Sequence, residues 1–179
     1  MNMNKLGLIL SAAAFAADRH RNQRRKDADA SPYINHPIAL ANVLTNEGEI
    51  DDPVVICAAL LHDTMDDTET TEAALVDLFG SEITKVVLEV TDDKSLPKQQ
   101  RKLLQIEHAA KISPQAKLVK LADKICNLRD IDSSPPADWS MTRKSEYYDW
   151  AKRVVDNLRG ANAQLEAVFD GIYDRWQRR

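Results

Sequence analysis

The stretch PVVICAALLHDTMDDTETT, residues 53–71, decides the fold. Eight consecutive apolar residues, Val54 to Leu61, run straight into His62-Asp63, and a second acidic pair, Asp66-Asp67, follows. Asp52-Pro53 opens the run: the fixed φ of proline suits a first helical position, and the Asp52 carboxylate can accept from the free amides there. An apolar block opened by such a signal, with no period-two alternation, reads as a fully buried helix. Carboxylates crowded at the end of a buried segment repel one another and resist desolvation, and a bound cation would remove both penalties.

The same helical punctuation recurs outward along the chain, and no convincing period-two strand interrupts it. The expected class is all-α, a compact single-domain bundle spanning residues 1–179 with about eight to ten helices. One helix opens at His36-Pro37. Thr70 or Thr71 caps a short helix that stops at Gly80, and Ser81 begins another whose Ile83, Val86, Val87 and Val90 share a stripe. A further helix starts near Pro97. Ser113-Pro114 opens the next, with Leu118, Leu121, Ala122, Ile125 and Leu128 inward and Lys120, Asp123, Asn127 and Asp130 off that stripe. SSPPADWS, residues 133–140, is the clearest loop. Tyr148, Ala151, Val154, Val155 and Leu158 then mark a long helix ending near Gly160, and Leu165, Val168, Phe169, Ile172 and Trp176 mark the last.

Residues 5–18, KLGLILSAAAFAAD, carry the single cation, apolar stretch and small residues of a signal peptide. They also run on through Asp18, Arg19 and His20 without a turn residue, as a packed amphipathic helix does, so a cytoplasmic protein is expected. No segment is long enough to span a bilayer. With 44% hydrophobic residues, 29% charged and only five glycines, the chain suits a helical globular protein rather than a disordered one. A net charge of −4 argues against a general nucleic-acid or membrane-surface binder, although RNQRRK, residues 21–26, gathers four cations. Such a run is most often a solvated face. Cys57 and Cys126 lack the spacing of a zinc site, and Cys57 reads as core.

Adjacent helical residues point about 100° apart, so His62 and Asp63 can grip one ion beside the helix but cannot complete its shell. His36 and Asp123 are the best candidates to complete it. Two imidazoles and two carboxylates suit an octahedral site with open positions for Mn²⁺, or for Fe²⁺ or another first-row ion, better than tetrahedral structural zinc. The competing reading is plain: a His before a helix-start Pro is often a cap, a lone helical Asp is usually solvated, and Asp66-Asp67 is an ordinary turn before a Thr-capped helix.

The His-Asp dipeptide, a preceding His and a later Asp in LADK resemble the HD phosphohydrolase superfamily, and the likeness narrows further. HDTMDDT (62–68) is similar to the HDTVEDT signature of the RelA/SpoT-type alarmone hydrolases. RRKDADASPYINHPIALANVL (24–44), VTDDKSLPKQQRK (90–102), AKLVKLADKICNLRD (116–130) and EYYDWAKRVV (146–155) resemble segments of that family's small stand-alone hydrolases, animal and bacterial, in the same order. The dipeptide alone is a weak signal; the blocks together are a strong one.

The resemblance implies a helical HD domain with one Mn²⁺ that removes the 3′-pyrophosphate of (p)ppGpp, leaving GDP or GTP and pyrophosphate. Carried over by position, the metal ligands are His36, His62, Asp63 and Asp123. Asp66 and Asp67 take the place of a catalytic Glu-Asp pair that aligns water and accepts its proton. Asp66 is one methylene shorter than Glu, reducing its reach by about 1.5 Å. Arg25 and Lys26 resemble purine and phosphate contacts, Asn127 a ribose or base contact, and Tyr33, Lys98, Arg143 and Tyr147 match residues lining the pocket of animal-type relatives. The enzymatic alternative is removal of the 2′-phosphate of NADPH. A different class is a catalytically silent module that senses nucleotide or binds RNA through RNQRRK; an intact ligand set and acidic pair favour an enzyme over it.

Overall fold

A computed structural model of the protein describes residues 4–179. The helices are α1 (Lys5–Arg19), α2 (Asn35–Asn42), α3 (Pro53–Leu61), α4 (Thr64–Asp67), α5 (Glu72–Val90), α6 (Lys98–Ala109), α7 (Pro114–Ser133), α8 (Met141–Asp156) and α9 (Ala163–Gln177). A π-helical turn, Val43–Glu47, extends α2. No strand occurs among the described residues, and one isolated bridge, Arg24 to Pro32, closes the loop after α1. The domain is all-α.

The apolar run becomes the axis of this arrangement. Asp52 accepts from the Val54 amide at 2.9 Å with Pro53 at the first helical position. Every residue from Val55 to Leu61 is then buried, packed by α1, α2, α5 and α7. Burying each large aliphatic side chain there contributes about 1.5–3 kcal/mol relative to exposure, so the end of α3, where His62 sits, is among the most firmly anchored points of the chain. Cys57 is core, as expected. Helix α7 is the second axis: Ser113 caps it through the Ala116 amide at 3.2 Å, and Leu121, Ala122, Ile125 and Leu128 face inward against α2, α3, α5, α8 and α9. Leu118 is only half-buried.

The first helix packs on α3 and buries Ala12 and Ala16, with Phe15 edge-on to Phe79 at 5.5 Å. Among the described residues no helix is long and apolar enough to cross a membrane. The expected stop at Gly80 and restart at Ser81 occur as a kink within α5, where Gly80 adopts φ 83° and ψ 164°, a region open essentially to glycine alone. Thr71, rather than Thr70, is the cap, accepting from Ala74 at 3.3 Å. Helix α2 begins at Asn35, one residue before the expected start. Helix α8 stops at Asp156, short of Gly160, because the Asn157 side-chain amide donates to the Arg153 carbonyl and its backbone amide turns to Val154. Helix α4 and the π turn were not legible as elements, being a single turn each.

Candidate active site

His62 follows the last residue of α3. Its Nδ1 lies 2.8 Å from the Ala59 carbonyl, which can only accept, so Nδ1 carries a proton and Nε2 is the atom available to a second proton or a metal. That Nε2 is buried without a hydrogen bond, 3.0 Å from Asp63 Oδ2 and 4.0 Å from Asp123 Oδ1. His36, from the first turn of α2, brings its Nε2 to 3.2 Å from the same Asp123 oxygen. His36, His62 and Asp123 thus place three ligand atoms within 4.8 Å of one another and could hold a metal ion. Asp63 borders this trio through His62, and its Oδ2 also accepts from the Tyr33 hydroxyl at 2.5 Å.

The electrostatics fit a cation. Burial opposes ionisation of Asp63, but His62 and His36 outweigh it and lower the pKa of its carboxyl. Burial also opposes ionisation of Asp123, yet Lys124, His36 and His62 hold its pKa well below the ordinary carboxylate value. At His62 burial disfavours the charged ring, and Asp63 and Asp123 reverse the sign, pushing its pKa up to about 9. A bare imidazole nitrogen facing carboxylates has only two stable partners, a proton or a metal. The Nδ1–H anchored on a backbone carbonyl is the usual second contact of a metal-binding histidine, and this mixed nitrogen and oxygen donor set suits a first-row divalent ion.

The acidic pair is divided by α4. Asp66 faces the small pocket of about 70 Å³ lined also by His62, Asp63, Asp92, Lys120, Asp123 and Lys124. Its Oδ2 accepts from the Asp92 amide at 3.4 Å, its buried Oδ1 has no partner, and burial, partly offset by Lys94, pushes its pKa up to about 6. Asp67 instead faces a larger cleft, its two oxygens taken by Lys94 and Gln23, each at 3.1 Å. The two carboxylates thus line different cavities, Asp66 with His62, Asp63 and Asp123, and Asp67 with His36.

The cleft encloses about 690 Å³ and gathers Arg25, Lys26, Tyr33, His36, Asn127 and Tyr147 along its walls. Arg25 is paired with Asp130 and lies over the Tyr33 ring at 5.7 Å. Asn127 donates to Asp123 Oδ1 at 2.7 Å. Burial raises the Tyr147 hydroxyl to about 12. Lys98 and Arg143 lie in an adjoining cavity of about 290 Å³, which shares Trp139 and Tyr147 with the cleft and adds Arg101 and Lys102. Of the RNQRRK cations, Arg21 pairs with Asp18 as a solvated face would, whereas Arg24, Arg25 and Lys26 line the cleft.

The HD-domain family model matches residues 12–149. The chain belongs to the HD-domain family. Within it, the chain is 54% identical over 173 residues to a Danio rerio protein named guanosine-3′,5′-bis(diphosphate) 3′-pyrophosphohydrolase MESH1, covering 97% of this chain and 96% of the relative. The Homo sapiens protein of the same name is 53% identical over 165 residues, 92% of each chain. A solved structure of a metazoan SpoT orthologue, described as hydrolysing ppGpp, superimposes with a TM-score of 0.91 at 49% identity over 94% of both chains.

This HD domain also uses residues that the sequence reading passed over. Lys124 is 3% exposed; its Nζ lies 2.8 Å from Asp123 Oδ2 and 4.4 Å from the centre of the Trp150 ring. Lys120 donates to the Val90 carbonyl at 2.8 Å and lines the small pocket with Asp92 and Gln105. A cation one residue after a proposed ligand, on a helix whose Leu121, Ile125 and Leu128 turn inward, was the available signal for Lys124. Lys94 and Gln23 offered none, since only the fold brings them to Asp67.

Proposed function

We propose that residues 1–179 act as one catalytic domain, in the cytoplasm, hydrolysing the 3′-pyrophosphate of ppGpp and pppGpp to GDP or GTP and pyrophosphate with Mn²⁺ as the ion. The observation that carries this reading is that His36, one of the His36, His62 and Asp123 group, lines a large cleft that also carries Arg24, Arg25, Lys26 and Lys94. The activity named for the relatives supports it.

His36, His62, Asp63 and Asp123 would hold the ion, which when bound serves as a Lewis acid and lowers the pKa of water. Asp67, with Lys94 beside it, takes the proton of the attacking water at a carboxylate oxygen. Asp66, whose pKa of about 6 leaves a fraction of it protonated near neutrality, lies in the small pocket with His62, Asp63 and Asp123 and gives a proton to the departing ribose 3′-oxygen. Tyr33 holds Asp63, and Asn127 holds Asp123, in single orientations. Arg25 and Lys26 grip purine and phosphate, Tyr147 closes the far wall, and Lys98 and Arg143 in the adjoining cavity offer charge for a second phosphate group. A nucleotide with terminal diphosphates on both its 3′ and 5′ oxygens makes fuller use of two adjoining cation-lined cavities than NADPH, with one 2′-monophosphate and one bridging diphosphate, does.

The test is competition between ppGpp and NADPH in one Mn²⁺ reaction, with the products resolved by chromatography. GDP and pyrophosphate should dominate, with kcat/KM at least roughly tenfold higher for ppGpp, equivalent to about 1.4 kcal/mol. Preferential appearance of NADH would overturn the substrate. Absence of any product would favour a silent nucleotide-sensing module.

A further inference from the structure

The orientation of Asp67 is dictated by a chain of hydrogen bonds that leaves each member one role. Asp67 Oδ2 takes the Gln23 side-chain nitrogen at 3.1 Å. An ionised carboxylate only accepts, so Gln23 must turn its NH₂ group there and its Oε1 the other way. That Oε1 meets His20 Nδ1 at 2.6 Å, and since an amide oxygen also only accepts, His20 carries a proton on Nδ1. His20 is itself immobile: it is 2% exposed at the C-terminal end of α1, its backbone amide donates to Ala16, and its ring lies against Tyr33 with centroids 4.8 Å apart. The Gln23 backbone is tied on both sides, donating to the His20 carbonyl at 2.9 Å and accepting from the Tyr33 amide at 3.1 Å. The other holder of Asp67, Lys94, has a side chain 48% exposed on the loop after α5, where water competes for its ammonium.

We propose that Gln23, backed by His20, is a positioning residue that sets the carboxylate plane of Asp67 for proton transfer in the reaction. The inference rests on the catalytic place given to Asp67 under the proposed function. The His20 ring also packs on Tyr33, whose hydroxyl donates to Asp63 Oδ2 at 2.5 Å, so the end of α1 braces the residue that holds Asp63 as well. A carboxylate free to rotate presents a productive lone pair for only part of the time, and holding it removes that loss from every turnover.

The experiment is a double-mutant cycle in the full chain with Mn²⁺ and ppGpp. Gln23→Met keeps length and loses both hydrogen bonds; His20→Phe keeps the ring against Tyr33 and loses the donor. Each should lower kcat roughly tenfold with KM and bound Mn²⁺ unchanged within about twofold. In an Asp67→Asn background, Gln23→Met should cost less than about twofold further, because a residue acting through Asp67 has nothing left to position. Asp67→Asn as fast as the parent would defeat the catalytic reading of Asp67 itself. A slow Asp67→Asn beside an unimpaired Gln23→Met, or losses that multiply in the double variant, would overturn the positioning role alone. If His20→Phe fails to give a native circular-dichroism spectrum, the Gln23→Met cycle decides.

Discussion

Replacing Lys124 with Met keeps the aliphatic stem and its volume and removes only the ammonium. That ammonium is almost wholly buried, 2.8 Å from Asp123 Oδ2 and over the Trp150 ring, whose indole nitrogen donates to the Lys102 carbonyl at 3.0 Å. Breaking one partner of a buried ion pair leaves the other uncompensated, typically at a cost of about 3–5 kcal/mol. The lost cation–π contact adds about 0.5–2 kcal/mol. In a protein of 179 residues each kcal/mol moves the melting temperature by about 2–4 °C. Metal-free Lys124→Met should therefore melt roughly 7–28 °C below the metal-free parent. A divalent ion beside Asp123 replaces the missing positive charge, so with saturating Mn²⁺ the deficit should shrink to less than about half. Differential scanning calorimetry in EDTA and in Mn²⁺, parent beside variant, reads both values. An equal drop under the two conditions would refute the reasoning, because Lys124 would then be holding helices together rather than balancing the charge of the ligand group.

Other outcomes follow from the same geometry. His62→Ala, Asp63→Ala and Asp123→Ala should each lose bound Mn²⁺ and turnover while keeping most helix content; undiminished metal by elemental analysis in all three would defeat the ligand assignment. Burial raises Asp66 from 3.8 to about 6 against the pull of Lys94, so between those values the folded chain holds a proton that the unfolded chain has released. Stability contributed there falls as pH rises through that window. The melting temperature of metal-free Asp66→Asn, relative to the parent, should accordingly climb between about pH 4 and 7; a constant offset would show that the carboxyl titrates normally. Gly80→Ala meets no atom within 4 Å but must adopt a φ of 83°, so it should cost about 1–3 kcal/mol by denaturant titration from backbone strain alone. No loss would mean that the kink relaxes into continuous helix.

The class, the main helices and the identity of the groups gathered around His62 are legible along the chain. Asp52-Pro53 and Ser113-Pro114 specify helix starts through local chemistry, and the apolar stripes of α5, α7, α8 and α9 specify which faces turn inward. A buried His62-Asp63 demanded partners of opposite or coordinating character, which is why His36 and Asp123 could be named before any fold was known. Only the tertiary structure decided how these groups divide. Asp66 and Asp67 are neighbours in the chain, yet one turn of α4 sends them to different cavities, because successive helical residues point about 100° apart. The partners of Asp67 come from residues 23 and 94, and the Lys124 ammonium, paired with its neighbour Asp123, gains its aromatic contact only because α8 brings Trp150 over it. Helix signals act within a few residues, whereas hydrogen bonds and buried charge pairs are satisfied by whatever packing brings near, and that is settled by the core as a whole.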